Sequence, residues 1–178
     1  IGVYGAKGDG VVLTNAVCTN GSAVVMDATG SFTSADVGKL FVIMARSGAG
    51  SQTRMRGTIL SVQSATQFTA AANSAVSITG GGLTYGTNDA SAIEAASAAA
   101  AATGGTVFFP AGITSTNQEH TVPGGVRFKG VGRDYCGVHD VPTRGSTLAL
   151  IGFLSGQAVV VLGDDQVSFA SGETIASI

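Results

Sequence analysis

The stretch VYGAKGDG at residues 3–10 sets three glycines, a lysine and an aspartate behind a short apolar pair. Backbone this rich in glycine has three uses: cradling a phosphate, looping around a metal, or turning. A P-loop requires G-x-x-x-x-G-K followed by Ser or Thr, and this stretch does not match it. DVGKL (36–40) has Gly-Lys followed by Leu40, and GVGRDY (130–135) has G-x-G but runs into Tyr135. All three read as turns, with Lys7 and Asp9 at the solvent edge of the first.

The bulk composition narrows the classes. The chain has 178 residues, enough for one domain or two small ones with a real core. Charged residues make up 11% of it, against about 25% in an average domain. Small apolar and hydroxylated residues dominate, with 27 Gly, 3 Pro and no Trp. Mean hydropathy is +0.37, too apolar for a disordered chain. Net charge is −2 and no basic run occurs, so nucleic acid is not an expected partner. No apolar run reaches the roughly 18 residues of a membrane helix, and no signal-peptide pattern opens the chain. Cys18 and Cys136 are far apart in sequence and read as buried thiols acting as small hydrophobes.

Residues 11–85 read as all-β. SAVVMD (22–27), KLFVIMA (39–45), RGTILSVQ (56–63), TQFTAA (66–71) and AVSITG (75–80) are short apolar or alternating runs punctuated by Gly, Ser, Thr and Asn. SFTSADVGK (31–39) reads as one helical turn, capped by Thr33 and stopped by Gly38. The character then changes. GTNDASAIEAASAAAAATGG (86–105) is an Ala-rich helix with Thr87 or Asn88 as cap, Asp89 and Glu94 toward the positive end of its dipole, and Gly104-Gly105 as its stop. Strands resume at TVFFP (106–110), HTVPGGVRFKGVG (120–132), STLALIG (146–152), AVVVLG (158–163) and QVSFASG (166–172). Short strands with tight turns predict a β-solenoid, with the helix covering the open end of its core. The chain opens at Ile1 without Met, and GETIASI (172–178) reads as the start of another coil, so a longer solenoid is expected.

Several of these residues resemble a known family. VYGAKGDG (3–10) is similar to the opening signature of the pectate-lyase superfamily of right-handed parallel β-helices, common in bacteriophage tailspikes and tail fibres. GTNDASAIEAASAAAAATGGTVFFPAG (86–112) resembles the second half of that signature, and TVPGGVRFKGVGRD (121–134) resembles the family's first coil. The resemblance covers residues 1–10 and about 86–170. FTSADVGKLFVI (32–43) looks like inserts in phage and prophage members. The implied fold is all-β: residues 1–10 as the leading segment, 11–85 as an inserted small β-sandwich or barrel module, and 86–178 as a capping α-helix plus the first coils of a right-handed parallel β-helix.

Candidate site residues are sparse. Asp164 and Asp165 in GDD (163–165) resemble an acidic motif of polygalacturonase-type β-helices. Glycoside hydrolysis needs two carboxyls about 5–10 Å apart with one kept protonated, and strand neighbours point to opposite faces. The related enzymes carry a Gly-His-Gly downstream, whereas His120 and His139 here do not lie between glycines. The plainer reading of Asp164 and Asp165 is a solvated turn. Arg133, Asp134, Tyr135, Asp140 and Arg144 fall in one charged loop, GRDYCGVHDVPTRG (132–145), the best carbohydrate-binding candidate and equally readable as a solvated loop. The 11 acidic residues are scattered, so neither a Ca²⁺ site nor any other metal or cofactor is expected. Tyr4 and Tyr85 flank the insertion and read as packing at its base.

By resemblance, the expected function is structural and adhesive: the N-terminal region of a phage tailspike or tail fibre. It would be a homotrimer in the virion tail, contacting other tail proteins and reaching host cell-surface polysaccharide through a later region. The alternatives are the N-terminal part of a polysaccharide lyase or glycoside hydrolase with its active site on later coils, and a secreted carbohydrate-binding adhesin.

Overall fold

A computed structural model describes residues 1–46, 52–118, 120–130, 146–150 and 159–162. The chain divides into two compact units. One is Val11–Gly86; the other joins Ile1–Gly10 to Thr87–Ile178.

The Val11–Gly86 unit is a closed six-stranded barrel. Its strands are β1 (Val11–Cys18), β2 (Val24–Asp27), β3 (Leu40–Arg46), β4 (Gln52–Ser64), β5 (Gln67–Ala70) and β6 (Ile78–Gly86). They are ordered β1-β2-β5-β4-β3-β6, and β6 pairs back onto β1. Every pairing is antiparallel. Alternation sends Phe41 and Ile43 of β3, Met55 and Ile59 of β4, and Phe68 and Ala70 of β5 to the interior. Phe68 sits between Phe32 and Phe41, with ring centroids 5.0 Å away on each side. Such edge-to-face contacts add to area burial. Tyr85 joins this cluster 5.3 Å from Phe32. Closure leaves the barrel no unpaired edge, and the interior is filled by side chains rather than open.

Both carboxylates of the barrel have internal work. Asp27, 1% exposed, accepts the Asn15 and Thr29 amides and the Thr29 hydroxyl. Asp36 closes the helical turn Ser34–Asp36 by accepting the Thr33 amide at 2.8 Å, and pairs with Lys39 at 3.0 Å.

In the second unit, α1 (Ala90–Ala101) lies on a two-stranded parallel sheet of β7 (Thr106–Phe109) and β9 (Arg127–Gly130). Ile93, Ala96, Val107, Phe109, Val122, Val126 and Phe128 form its core, with Ile1 from the chain start. Alanines on the buried stripe let α1 approach closely. Gly104, at φ 65°, turns the chain after it, and the Gly105 amide returns to the Ala100 carbonyl at 2.8 Å. A second sheet orders β11 (Val159–Leu162), β10 (Ser146–Leu150) and β8 (Gly112–Thr116).

Among the described residues the expected right-handed parallel β-helix is not formed. Their parallel pairing is that of β7 with β9, β8 with β10, and two single bridges on β8. The next strand, β11, turns back antiparallel on β10. Stacked coils repeat one parallel pairing from turn to turn, and an antiparallel hairpin breaks that repeat. The all-β class is consistent, but the architecture is a closed antiparallel barrel with one helix and two small sheets among the described residues. Local limits also differ. β6 runs through the glycines at 80–82, which a propensity reading ends at, and β9 begins only after the Pro123 turn, where the Val126 amide bonds the Pro123 carbonyl. QVSFASG (166–172) lies outside the described residues.

Residues 11–86 expressed alone should fold as a β-rich unit that unfolds cooperatively, by circular dichroism in urea. Phe68→Ala should lower its stability by about 3–5 kcal/mol. A fragment that stays unfolded would contradict an independent core.

Candidate functional site

The leading stretch begins with a helical turn, Gly2–Tyr4, closed by Gly5 at φ 93°. Its glycine-rich part then meets the start of α1. The Lys7 and Gly8 amides donate to the two oxygens of Asp89, at 2.8 and 3.1 Å. This backbone does cradle an anion, and the anion is a carboxylate of the same chain. Asp89 is the residue before α1, but its side chain does not cap the helix; Asn88 Oδ1 takes the Ala90 amide instead. Asp9 answers in the other direction. Its carboxylate accepts the Thr87 amide and the Thr87 hydroxyl, both at 2.9 Å. Two carboxylates therefore cross-tie the residues where the chain leaves for the barrel and where it comes back.

Strand β8 supports this clasp from one edge. Asp9 bridges Ile113 and Asn88 bridges Ser115, both in the parallel sense. The Gly10 amide donates to the Ile113 carbonyl at 3.0 Å, and the Asp89 amide to the Ser115 carbonyl at 2.7 Å. Ile113 and Ser115 are two apart, so both bonds fall on the same edge. Asp9 and Asn88 thus act as one strand with the barrel inserted in its middle. The approach is too close for side chains. A Cβ on Gly10 would lie 2.4 Å from the Ile113 side chain, and one on Gly112, itself at φ 123°, 2.5 Å from the Gly8 carbonyl.

Asp89 is 2% exposed. Burial pushes its carboxyl above the ordinary range. The Lys7 and Gly8 amides pull it back, while the Asp9 charge adds to the rise and the Lys7 charge opposes it. The folded state therefore holds this proton more tightly than the unfolded chain, so ionising Asp89 costs stability as pH rises above 3.8.

A second polar group lies past β8. His120, 3% exposed, places Nε2 2.8 Å from the Thr116 hydroxyl. Gln118 bonds the Glu94 carboxylate on α1. Burial holds the His120 imidazolium down, with the Glu94 charge opposing. A Thr–His contact resembles half of a nucleophile–base pair. Here both side chains are buried and Thr116 also bonds the Gln118 backbone, so the contact is a closed loop brace.

An open cavity of about 400 Å³ is lined in part by Val3, Tyr4, Ala99, Ala100, Thr103 and Phe108. No charged side chain lines it, so it holds no acid–base pair. Tyr4 opens onto it half-exposed, whereas Tyr85 is buried in the barrel core. Asp9 is likewise a clasp residue rather than a solvent-edge one.

Arg133, Asp134, Tyr135, Asp140 and Arg144, together with Asp164 and Asp165, lie outside the described residues, as do Cys136 and His139. Cys18 is buried, with Sγ 3.5 Å from the Ser74 hydroxyl. Among the described residues no three His, Cys, Asp or Glu side chains group to hold a metal, and no helix is long and apolar enough to cross a membrane. The clasp is not legible in the sequence because Asp89 also suits a helix start, and its partners are amides 82 and 81 residues earlier. No protein-family model, curated protein or solved structure matches the chain.

The His120 brace should be read in its pH dependence. Its folded pKa lies below 6.5, so the folded state binds this proton less tightly and stability is lost as pH falls through and below 6.5. Urea midpoints measured between about pH 7.5 and pH 5 should show wild type falling relative to His120→Gln. The Asp89 contribution is common to both and cancels. Parallel pH profiles would assign the acid limb elsewhere.

Proposed function

We propose that the chain is the structural and adhesive N-terminal region of a bacteriophage tailspike or tail fibre, joining the virion to a region that recognises or depolymerises the host surface. The observation that carries this reading is the clasp. VYGAKGDG and GTNDASAI, the two stretches that resemble the split opening signature, are bound to each other by Asp89 and Asp9 across the barrel insertion. The two stretches that carry the resemblance are brought to one place, which supports the reading. The filled barrel interior supports a solid module rather than a ligand container. Low charge, 11% of residues, suits broad protein contacts, whose centres are depleted of charge. On this reading the full-length protein is a homotrimer held among other tail proteins, and contact with host polysaccharide belongs to the region beyond.

Antibodies raised against the chain should decorate one end of tails in immunogold micrographs of particles from the strain that carries the gene. The chain incubated with host capsule or exopolysaccharide should release no oligosaccharide. Label absent from particles and recovered in the medium would favour the secreted adhesin, and oligosaccharide release by this chain would overturn the structural reading in favour of the enzyme.

A further inference from the structure

We infer that residues 7–10 form a strap along the edge of β8 that opens as a local unit, latched by the Asp9 and Asp89 carboxylates, while the apolar cores of both units stay folded. This is independent of the function proposed above.

The strap is held in an unusual way. The side chains of Gly8 and Gly10 are absent, Lys7 is exposed, and none of the residues 7–10 belongs to an apolar core. The bonds that fix it are polar: the Lys7 and Gly8 amides to Asp89, Asp9 to the Thr87 amide and hydroxyl, and the Gly10 amide to Ile113. By contrast, Ile1 six residues earlier is buried against Phe109 and its neighbours, and the first barrel strand is zipped to β6 from Val11 onward. The strap is therefore a polar bridge between two apolar anchorages. Regions with few apolar contacts open first, and they open without the global unfolding that core strands require.

Opening has a defined result. It exposes the Ile113 carbonyl and frees that end of the β8 edge, while the Asp89 amide stays on the Ser115 carbonyl, and a bare stretch of strand edge accepts another strand. The Asp9 and Asp89 carboxylates thus keep the Ile113 end of this edge covered. Among the described residues, the charged groups at the latch are Lys7 and Asp9 on the strap side, with Asp89 at the helix start; β8 itself, GITST, presents none.

Trypsin reads the strap directly, because Lys7 is the basic residue within it. Its peptide bond to Gly8 carries an amide held by Asp89. In the full chain, cleavage after Lys7 should be slow. From the described residues each carboxylate accepts at least two hydrogen bonds, and a bond to a charged group is worth about a factor of ten or more. Asp9→Ala and Asp89→Ala should each speed release of the residue 1–7 peptide on the order of a hundredfold, followed by mass spectrometry. Cuts after Arg127 and Lys129 of β9 should stay at the wild-type rate. Unchanged release in both variants would overturn the latch. Release that rises only together with the Arg127 and Lys129 cuts would overturn the local opening, since the strap would then come free only when the whole unit unfolds. Asp9→Ala is the decisive variant if Asp89→Ala, removing the more buried group, loosens the unit as a whole.

Discussion

The described structure depends on a carboxylate meeting two backbone amides. Asp89 is placed before a helix, where an acidic residue ordinarily turns inward to the first free amides. It turns outward instead, to Lys7 and Gly8, and leaves the helix cap to Asn88. That choice costs desolvation of a nearly buried charge, offset only in part by two donors and by Lys7. It fixes the leading segment beside β8, and so determines where the chain departs into the barrel. Asp9 repeats the arrangement at the point of return, through Thr87. Beyond these ties, Asp9 and Asn88 each carry a single bridge to β8.

The barrel solves its own problem separately. A small sheet has edges, and edges invite pairing with other chains. Six strands closed on themselves remove them, and register shifts bend the sheet where β4 meets β5, between Ile59 and Ser61 and between Val62 and Ser64, and at β1, between Leu13 and Ala16 and again between Ala16 and Cys18. The same bulges explain why VVLTNAVC does not stand out as a strand: its apolar positions fall out of alternation just where the sheet bends. The interior then needs few large residues. Phe32, Phe41, Phe68 and Tyr85 pack there with Ile43, Ile59 and Leu83, which is how a chain without tryptophan still builds a dense core.

Strand-rich character, the helix and the change of texture near residue 86 were legible, because each is a local property of composition and periodicity. β3 and β5 fall almost where their apolar runs predict. The direction of pairing was not legible. KLFVIMA reads the same whether its neighbour is parallel or antiparallel, and only the register of Phe41 with Gly57 and Tyr85 decides it. The solenoid expectation failed for this reason: short strands with tight turns are shared by coils and barrels, and β10 followed by β11 forms a hairpin where a coil would pass on. β8 does not stand out in the sequence although Ile113, Thr114 and Thr116 are β-branched, because Gly112 and Ser115 break its apolar pattern. Of the site, the glycines of VYGAKGDG were legible as a backbone that turns; their anion was not, since nothing local ties Gly8 to a carboxylate 81 positions away.

The barrel's first and last strands are hydrogen-bonded partners, Val11 opposite Tyr85. Opposed residues of an antiparallel pair sit only about 5 Å apart at their Cα atoms. The barrel therefore presents its two ends side by side, as narrowly as a hairpin turn would. To the strand beside β8, the length of the insert is invisible: the entropy of closing so long a loop is met within the insert's own folding, not by the host strand. Any folded module with similarly adjacent ends would leave Asp9, Thr87 and Asp89 undisturbed. Residues 10 and 87 thus mark a socket for exchanging whole domains, where gain, loss or replacement of a module changes the molecule's outward equipment in a single genetic step.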